Sequence, residues 1–447
     1  MKIDPTMKIS SIRIITLASL LLLAAIIGAS GFHAAKISAA PSVATPPETP
    51  ADSLLILSKT DHTLAIVDPS TLQVIARVPV GNDPHEVIAS TDGQTAYVSN
   101  YGSGAYNTLA VVDLVAQKAL PSIDLGALRG PHGLFFTGGK VWFTAEAAKA
   151  IGSYDPATKS IDWIFGTGQN RTHMIYVWPD MNRIATTNVS SATVSIIEKV
   201  AAGAPGRGAS PNTPSGVNDD FRRGTPPGIP SDAKSAPPPG LGGTSSSSGS
   251  SAPPLPPPQT RGGPPPQSPP PQSQQPPPGR GPQGPPGGDW NQTVIPVGSG
   301  SEGFDVSPDG KEIWVANAGD GTISIIDVAS KRVTQTLAAE VRGANRLKFT
   351  PDGKRVLVAG LGGGPGIAQS NANAALTVID AATRKTIQRI AVGRGAAGIV
   401  MQPDGARAFV ACSPDNYVAV INLATLEVVG HIDAGGNPDG LAWARRR

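Results

Sequence analysis

A short apolar run that ends on an acidic or amide residue occurs seven times in this chain of 447 residues. Outside one long insert, most copies follow each other at intervals of roughly 40–45 residues, which is the length of a four-stranded propeller blade. The period therefore predicts an all-β fold, a seven-bladed β-propeller with four strands per blade. The seven runs are Ile66-Val67-Asp68, Val111-Val112-Asp113, Ser153-Tyr154-Asp155, Ile196-Ile197-Glu198, Ile325-Ile326-Asp327, Val378-Ile379-Asp380 and Val420-Ile421-Asn422.

Each repeat also contains a tight turn followed by a second apolar strand. Turns of the Pro-Asp-Gly type suit hairpins, because proline fixes φ and glycine tolerates positive φ. The strands that follow, such as Ala96-Tyr97-Val98-Ser99-Asn100, are rich in the β-branched and aromatic residues that favour sheets. The turns are Thr91-Asp92-Gly93, Thr137-Gly138-Gly139, Pro179-Asp180-Met181, Pro308-Asp309-Gly310, Pro351-Asp352-Gly353 and Pro403-Asp404-Gly405.

The two ends of the repeat array complement each other. The first repeat begins at Leu54 without an innermost strand, whereas the chain ends with an extra innermost strand, Pro438-Asp439-Gly440-Leu441-Ala442-Trp443. We therefore expect the C-terminal strand to complete the first blade, which removes an open sheet edge. The predicted propeller spans residues 53–443.

Residues 201–289 interrupt the pattern with proline, glycine, serine and glutamine. This composition has too few apolar residues to form a core and predicts a disordered insert. The insert separates Ile196-Ile197-Glu198 from the outer strand Thr293-Val294-Ile295-Pro296-Val297, so it is expected to lie within the fourth blade. It could act as a spacer, as a tether to the cell envelope, or as a docking segment for a proline-binding partner.

The N-terminus has the pattern of an export signal. Lys2, Lys8 and Arg13 precede an apolar run from Ile14 to Ile27. Such a pattern predicts a signal peptide over 1–30, or an uncleaved signal anchor. A disordered spacer over 31–52 and a basic tail over 444–447 complete the predicted organisation. The protein is accordingly expected to be extracytoplasmic: periplasmic, secreted or at the cell surface, with an uncleaved signal anchoring it to the membrane as the alternative.

Several strands resemble the signature of YVTN-repeat β-propellers, a family of mostly exported prokaryotic proteins. The resemblance is carried by Tyr97-Val98-Ser99-Asn100, Trp314-Val315-Ala316-Asn317, Ser307-Pro308-Asp309-Gly310 and Thr322-Ile323-Ser324-Ile325-Ile326-Asp327. It covers about residues 54–199 and 290–443 and implies a surface-layer or periplasmic type of protein. Ala145 and Ala185 depart from the family pattern, where asparagine and tyrosine would be typical. Similar propellers occur, more distantly, in lactonases and in a streptogramin lyase.

Aligning the innermost strands gives one homologous residue per blade, which we call the mouth position. Because innermost strands surround the central channel, the mouth positions are predicted to form a ring at one end of it. Three of the chain's six histidines occupy this position. Around the axis the mouth positions are Asp439, His85, His132, His173, Glu302, Asn345 and Ala397.

Three interpretations of the mouth positions remain open. They could form a wet polar channel end with no ligand. They could hold a divalent metal through His85, His132 and His173, because neutral imidazoles bind zinc, copper, iron or nickel. Alternatively, partly protonated histidines could bind an anionic or polar small molecule together with Arg346 or Arg171.

The sequence favours a binding or scaffold protein whose partner is a small ligand or an extracytoplasmic protein. The alternative is a metal-assisted hydrolase or lyase, lactonase-like or streptogramin-lyase-like, that uses the histidines. Whether the protein is an enzyme is left open, because no Ser-His-Asp order, nucleophile elbow or haem-attachment motif is present. A nucleic-acid partner is not expected, since the net charge is only +3 and the basic residues are scattered.

Overall fold

The computed structural model describes residues 47–200, 290–362 and 374–447. The predicted signal peptide, most of the predicted spacer and the predicted insert lie outside these residues. In the described part of the chain, seven antiparallel sheets of four strands form the seven blades, as the repeat period predicts. The strands of a sheet follow one another in the sequence, except that the first sheet takes its innermost strand from the end of the chain.

The strands are numbered β1 to β28 in chain order. The first blade contains β1 (Asp52–Ser58), β2 (Thr63–Asp68), β3 (Gln73–Pro79) and the last strand, β28 (Pro438–Arg445). The second contains β4 (Pro84–Ala89), β5 (Thr95–Asn100), β6 (Thr108–Asp113) and β7 (Lys118–Asp124). The third contains β8 (Pro131–Thr137), β9 (Lys140–Ala145), β10 (Ala150–Asp155) and β11 (Ser160–Gly166). The fourth contains β12 (Thr172–Val177), β13 (Arg183–Asn188), β14 (Thr193–Lys199) and β15 (Trp290–Pro296).

The remaining three blades are uninterrupted repeats. The fifth contains β16 (Ser301–Val306), β17 (Glu312–Asn317), β18 (Thr322–Asp327) and β19 (Arg332–Ala338). The sixth contains β20 (Ala344–Phe349), β21 (Arg355–Gly360), β22 (Ala374–Asp380) and β23 (Thr386–Gly393). The seventh contains β24 (Ala396–Met401), β25 (Arg407–Cys412), β26 (Tyr417–Asn422) and β27 (Glu427–Ile432).

The C-terminal strand closes the first blade, which confirms the prediction made from the two chain ends. β28 pairs antiparallel with β1 and places Leu54 opposite Trp443 and Ile56 opposite Leu441. Leu54 and Ile56 are fully buried. A shared sheet made from the first and last strands of the array leaves neither of them as an open edge.

The innermost strands β4, β8, β12, β16, β20, β24 and β28 contact one another in this order, and β28 contacts β4. The ring is therefore closed. The apolar core lies between neighbouring blades, where the faces of adjacent sheets pack together. Between the fourth and fifth blades, for example, Ile295 and Ile196 pack with Ile313 and Val315.

The structure extends the ordered fold slightly beyond the predicted limits. The last strand runs to Arg445, so the first residues of the expected basic tail are part of β28, and Arg445 forms an ion pair with Asp52. At the other end, Thr49 of the expected spacer is buried and donates a hydrogen bond to the carbonyl of Leu114. Cys412 is a free, buried cysteine in β25.

In the described ranges, three short 3-10 helices lie in loops that follow the second strands of blades: Gly102–Gly104, Val189–Ser191 and Ser413–Asp415. Within the residues that the structure covers, no helical segment has the length and apolar character needed to span a bilayer.

Candidate functional site

The structure brings the predicted mouth positions of five successive blades together. The imidazole of His132 lies between those of His85 and His173, with ring centroids 4.8 Å and 3.8 Å away. His173 Nε2 lies 2.9 Å from Glu302 Oε2. On the other side, Lys59 connects His85 to Asp439. We call this continuous set, from Asp439 to Glu302, the mouth arc.

Glycines explain how the innermost strands approach closely enough to form the mouth arc. The residue after the mouth position is glycine in four blades, including Gly133 and Gly440. A Cβ atom at Gly133 would lie 2.4 Å from the carbonyl oxygen of His173, and one at Gly440 would lie 2.4 Å from that of His85. Such contacts are impossible for other residues, so glycine permits the close packing of one blade on the next.

Hydroxyl groups fix the backbone of three mouth positions. Ser99 of β5 donates a hydrogen bond of 2.8 Å to the carbonyl of His132 in the next blade. In the same way Thr144 of β9 binds the carbonyl of His173 at 2.7 Å, and Thr187 of β13 binds that of Glu302 at 2.8 Å. We call these three residues the latch hydroxyls.

The latch hydroxyls are confined to the blades that precede His132, His173 and Glu302. Strand register places four apolar residues at the same position in the remaining blades, and all are fully buried. A hydroxyl there is therefore not needed to build a blade, and its presence in three successive blades holds part of the mouth arc in place. The apolar residues are Leu57, Ala316, Ala359 and Ala411.

The residue just before each innermost strand, which we call the rim position, has a positive φ in all seven blades. Four rim positions are glycine, as this conformation favours. Asp83 and Arg171 instead adopt it with φ of 49° and 57°, at a cost on the order of 1 kcal/mol each. Both contact the mouth arc. The complete set is Asp83, Gly130, Arg171, Gly300, Gly343, Gly395 and Asn437, with φ between 49° and 70°.

His173 is held between two carboxylates. Its Nδ1 donates to Glu146 Oε1, and its Nε2 lies 2.9 Å from Glu302 Oε2 without the geometry of a hydrogen bond. Burial disfavours the charged imidazole, but Glu302 and Glu146 outweigh burial and raise the pKa of His173. Burial also opposes the charge of Glu302, yet His173 and Arg171 lower the pKa of that carboxyl to about 2. The two carboxylates therefore favour the charged form of His173, and His173 in turn favours the charged form of Glu302.

His132 differs from His173 although the two imidazoles are adjacent. Its side chain is only 2% exposed, and no hydrogen bond satisfies its buried Nδ1. Burial, reinforced by the positive charge of His173, lowers the pKa of His132 well below its usual value. The structure thus places a neutral imidazole with an unsatisfied nitrogen beside a positively charged one.

His85 is less buried and has its own partners. Lys59 Nζ donates to His85 Nε2 at 2.9 Å, so this nitrogen acts as an acceptor. His85 Nδ1 lies 3.4 Å from the carboxylate of Asp83. The lysine lies 3.4 Å from Asp439, another mouth position. Both nitrogens of His85 are therefore engaged within the protein.

Glu146, Tyr101 and Lys59 are site residues that the sequence analysis missed. Each follows the second strand of its blade directly, at a position that we call the shoulder position. Tyr101 donates a hydrogen bond to Glu146 Oε2, and burial with this contact raises the pKa of Tyr101 to about 12. The signal that could have revealed them is that each lies at the same distance in sequence from the second strand of its blade. The alignment used above compares only the innermost strands and does not reach these residues.

The remaining predicted residues lie beside or below the mouth arc. Asn345 is buried, and its Oδ1 has no hydrogen-bond partner. Ala397 is buried and adds no polar group. Arg346, one residue further along its strand, donates to Glu86 Oε1 at 2.7 Å. This pair joins the sixth and second blades and lines a cavity of about 250 Å³ within the channel.

One group in the described part of the chain has the composition of a metal site. His132, His173 and Glu146 are all buried, and one ligand atom from each lies within 4.8 Å of the other two. Of the three histidines predicted as ligands, the structure thus groups two with a glutamate, whereas His85 is engaged by Lys59 and Asp83.

The fold and this mouth define a seven-bladed β-propeller with a histidine-rich channel end. No protein-family model matches the chain, and no curated protein matches it. Solved structures are similar to it in fold. A functionally unknown protein from Desulfotomaculum acetoxidans DSM 771 has a TM-score of 0.57 at 10% identity, with 88% of this chain and 99% of that chain covered.

Two further similar structures carry the names of different enzymes. A candidate 6-phosphogluconolactonase from Bacteroides fragilis NCTC 9343 has a TM-score of 0.54 at 14% identity, covering 90% of this chain and 100% of its own. Hydrazine synthase from Kuenenia stuttgartiensis has a TM-score of 0.52 at 14% identity, covering 80% and 89%. Similarity at this level shows the fold alone, which hosts unrelated functions.

Proposed function

We propose that this chain is an exported binding protein of the YVTN-repeat type, with its ligand site at the mouth arc. The observation that carries the proposal is the state of His132. Its imidazole is almost completely buried among charged groups, and Nδ1 has no partner. An unsatisfied buried polar atom costs roughly 1–3 kcal/mol, which a bound ligand would recover.

The distribution of unusual features supports a site on the mouth arc. Charged residues occupy strained rim positions only at Asp83 and Arg171, while glycine serves in most other blades. The latch hydroxyls support His132, His173 and Glu302 and no other mouth position. Neither feature is needed to close a propeller, since the sixth and seventh blades have neither. Strain and specific support concentrated at one place are typical of functional sites.

The proposal includes an extracytoplasmic location. It is supported by the basic N-terminus and the apolar run from Ile14 to Ile27, and by the resemblance of several strands to an exported family. Fusion of residues 1–46 to a reporter that is active only after export would test it. Activity should be lost when Leu20 and Leu22 are replaced by aspartate.

A thermal-shift screen of small ligands would test the binding site. Wild type would be compared with the His85→Ala/His132→Ala/His173→Ala variant, and with His431→Ala, which removes an exposed histidine from an outer strand. We expect at least one compound to raise the melting temperature of wild type and of His431→Ala but not of the triple variant. If every active compound shifts all three proteins equally, the mouth arc is not the binding site.

A second candidate function is hydrolysis or lyase chemistry at the same place. It is favoured by the different pKa shifts of two adjacent imidazoles, lowered in His132 and raised in His173. His132 could serve as the base and His173 as the acid. Assays with a panel of lactones, including 6-phosphogluconolactone, would test it. Turnover of a lactone that is abolished by His132→Ala would support catalysis at this site. If no lactone is turned over, lactone hydrolysis is excluded as the function.

A further inference from the structure

We infer that the ligand of the mouth arc is a divalent transition-metal ion, bound by His132, His173 and Glu146. This inference rests on the proposed function and names the chemical class of its ligand. It differs from the set of three histidines expected from the sequence, because Glu146 replaces His85.

The three side chains provide a suitable set of donors. Each is at most 6% exposed, and a ligand atom from each lies within 4.8 Å of the others. His132 Nδ1 has no hydrogen-bond partner, so its lone pair or proton is unsatisfied in the absence of a ligand. Two imidazoles and one carboxylate are a recurrent ligand set for zinc and for non-haem iron(II), and leave further coordination positions open.

The groups around these donors match the second shell of a metal site. Histidines that bind metals usually direct their other ring nitrogen to a carboxylate, and the carboxylate of Glu302 lies 2.9 Å from His173 Nε2, close enough to become its hydrogen-bond partner when the ring turns. Metal-binding carboxylates are in turn held by hydrogen bonds. Tyr101 donates to Oε2 of Glu146 and leaves Oε1 directed at His173.

Binding requires a small local rearrangement. Nitrogen and oxygen ligands lie about 2.0–2.2 Å from zinc, which places neighbouring donors about 3.3 Å apart in a tetrahedral site. The direct contact between His173 Nδ1 and Glu146 Oε1 would therefore open as the metal takes the place of the shared proton. The imidazoles of His132 and His173, tilted by 36°, would turn about their side-chain bonds.

The donor set also predicts which ions bind. Magnesium and calcium prefer sites made of oxygen ligands, whereas imidazole nitrogen favours zinc, iron, cobalt, nickel and copper. The site has one carboxylate among its three donors. We expect Zn²⁺ to bind, and Mg²⁺ at the same concentration not to bind.

Isothermal titration of the metal-free full chain with Zn²⁺ tests the inference, with the protein purified without a polyhistidine tag. We expect one Zn²⁺ per chain in wild type and in the control His431→Ala. Glu146→Gln and His132→Ala should each abolish this binding. Glu302→Gln, which changes a partner of His173 and not a ligand, should weaken it roughly 10–100-fold. Circular dichroism would establish that each variant is folded.

The outcomes distinguish this inference from the proposed function. Absence of Zn²⁺ binding in wild type overturns the inference, and so does equal binding by wild type and Glu146→Gln. If Zn²⁺ fails to bind but an organic compound stabilises wild type and not His132→Ala, the mouth arc remains the ligand site. The assignment of a metal ion as its ligand is then wrong. Stoichiometric Zn²⁺ that is lost in both ligand variants and retained in His431→Ala supports the inference.

Discussion

The ion pair between Glu86 and Arg346 offers a test of the ring geometry beneath the mouth arc. The two residues are 260 positions apart in the sequence and belong to the second and sixth blades, which are not neighbours. Their side chains are 14% and 13% exposed, and Arg346 Nη2 lies 2.7 Å from Glu86 Oε1. The contact can form only if the blades close around one channel.

Arg346→Met should destabilise the protein by about 3–5 kcal/mol, because it leaves the carboxylate of Glu86 buried without a partner. Glu86→Met should cost less, since Glu302 and Asp439 also attract the guanidinium of Arg346. The double variant replaces both charges by apolar groups of similar size and should be close to the wild type in stability. The double-mutant cycle should therefore give a coupling energy of at least about 3 kcal/mol, because the second substitution removes the cost of the first.

Urea unfolding followed by tryptophan fluorescence would measure the four free energies of unfolding. The exposed pair Lys311 and Asp309 is the control, with side chains 78% and 55% exposed. Its cycle should give less than about 1 kcal/mol. If the effects of Glu86→Met and Arg346→Met add within about 0.5 kcal/mol, the two side chains do not meet across the channel and the reasoning is refuted.

Three further predictions concern closure, acid stability and the insert. Deleting residues 438–447 should prevent stable folding, because it removes the six positions at which β28 pairs with β1. At roughly 1 kcal/mol for each hydrogen bond, this loss is about 6 kcal/mol, comparable to the whole stability of a domain. Deletion of 446–447 alone is the control and should leave a protein that is folded by circular dichroism. Glu302→Gln should lower stability at pH 7 by up to about 3 kcal/mol, since the pKa of Glu302 is about 2 in the folded protein against an ordinary 4.5. This difference from wild type should shrink as pH falls below about 4.5, and a difference that is constant between pH 7 and pH 3 would contradict it. Deleting residues 203–286 should change the melting temperature by less than about 2 °C, because the segment has too few apolar residues to add to a core. A decrease of many degrees would show that the segment packs on the propeller.

The sequence was sufficient to predict the blades because their signals are periodic. Runs such as Ile325-Ile326-Asp327 recur with fixed spacing, and each repeat must bury the same faces against its neighbours. The unmatched strand at Pro438 likewise determined how the ring closes. The same alignment placed His85, His132 and His173 at one homologous position, and the structure brings their imidazoles together.

The remaining parts of the site share a position in the repeat but no residue type. Glu146 and Lys59 follow their strands in loops, where the residue type varies from blade to blade and nothing in the repeat requires a charge. Their importance depends on side-chain directions and on which neighbouring blade they reach, which spacing does not determine. The opposite pKa shifts of His132 and His173 arise from burial and from the two carboxylates around His173. Both causes depend on the folded arrangement of the side chains, which the spacing in the sequence does not determine.

Anomalous X-ray diffraction from crystals of the full chain grown with stoichiometric Zn²⁺ would locate the metal directly. Data collected at the zinc edge should show one strong peak per chain, bounded by the side chains of His132, His173 and Glu146. A strong peak at any other place, or electron density in which His132 and His173 lie far from each other, would contradict the account.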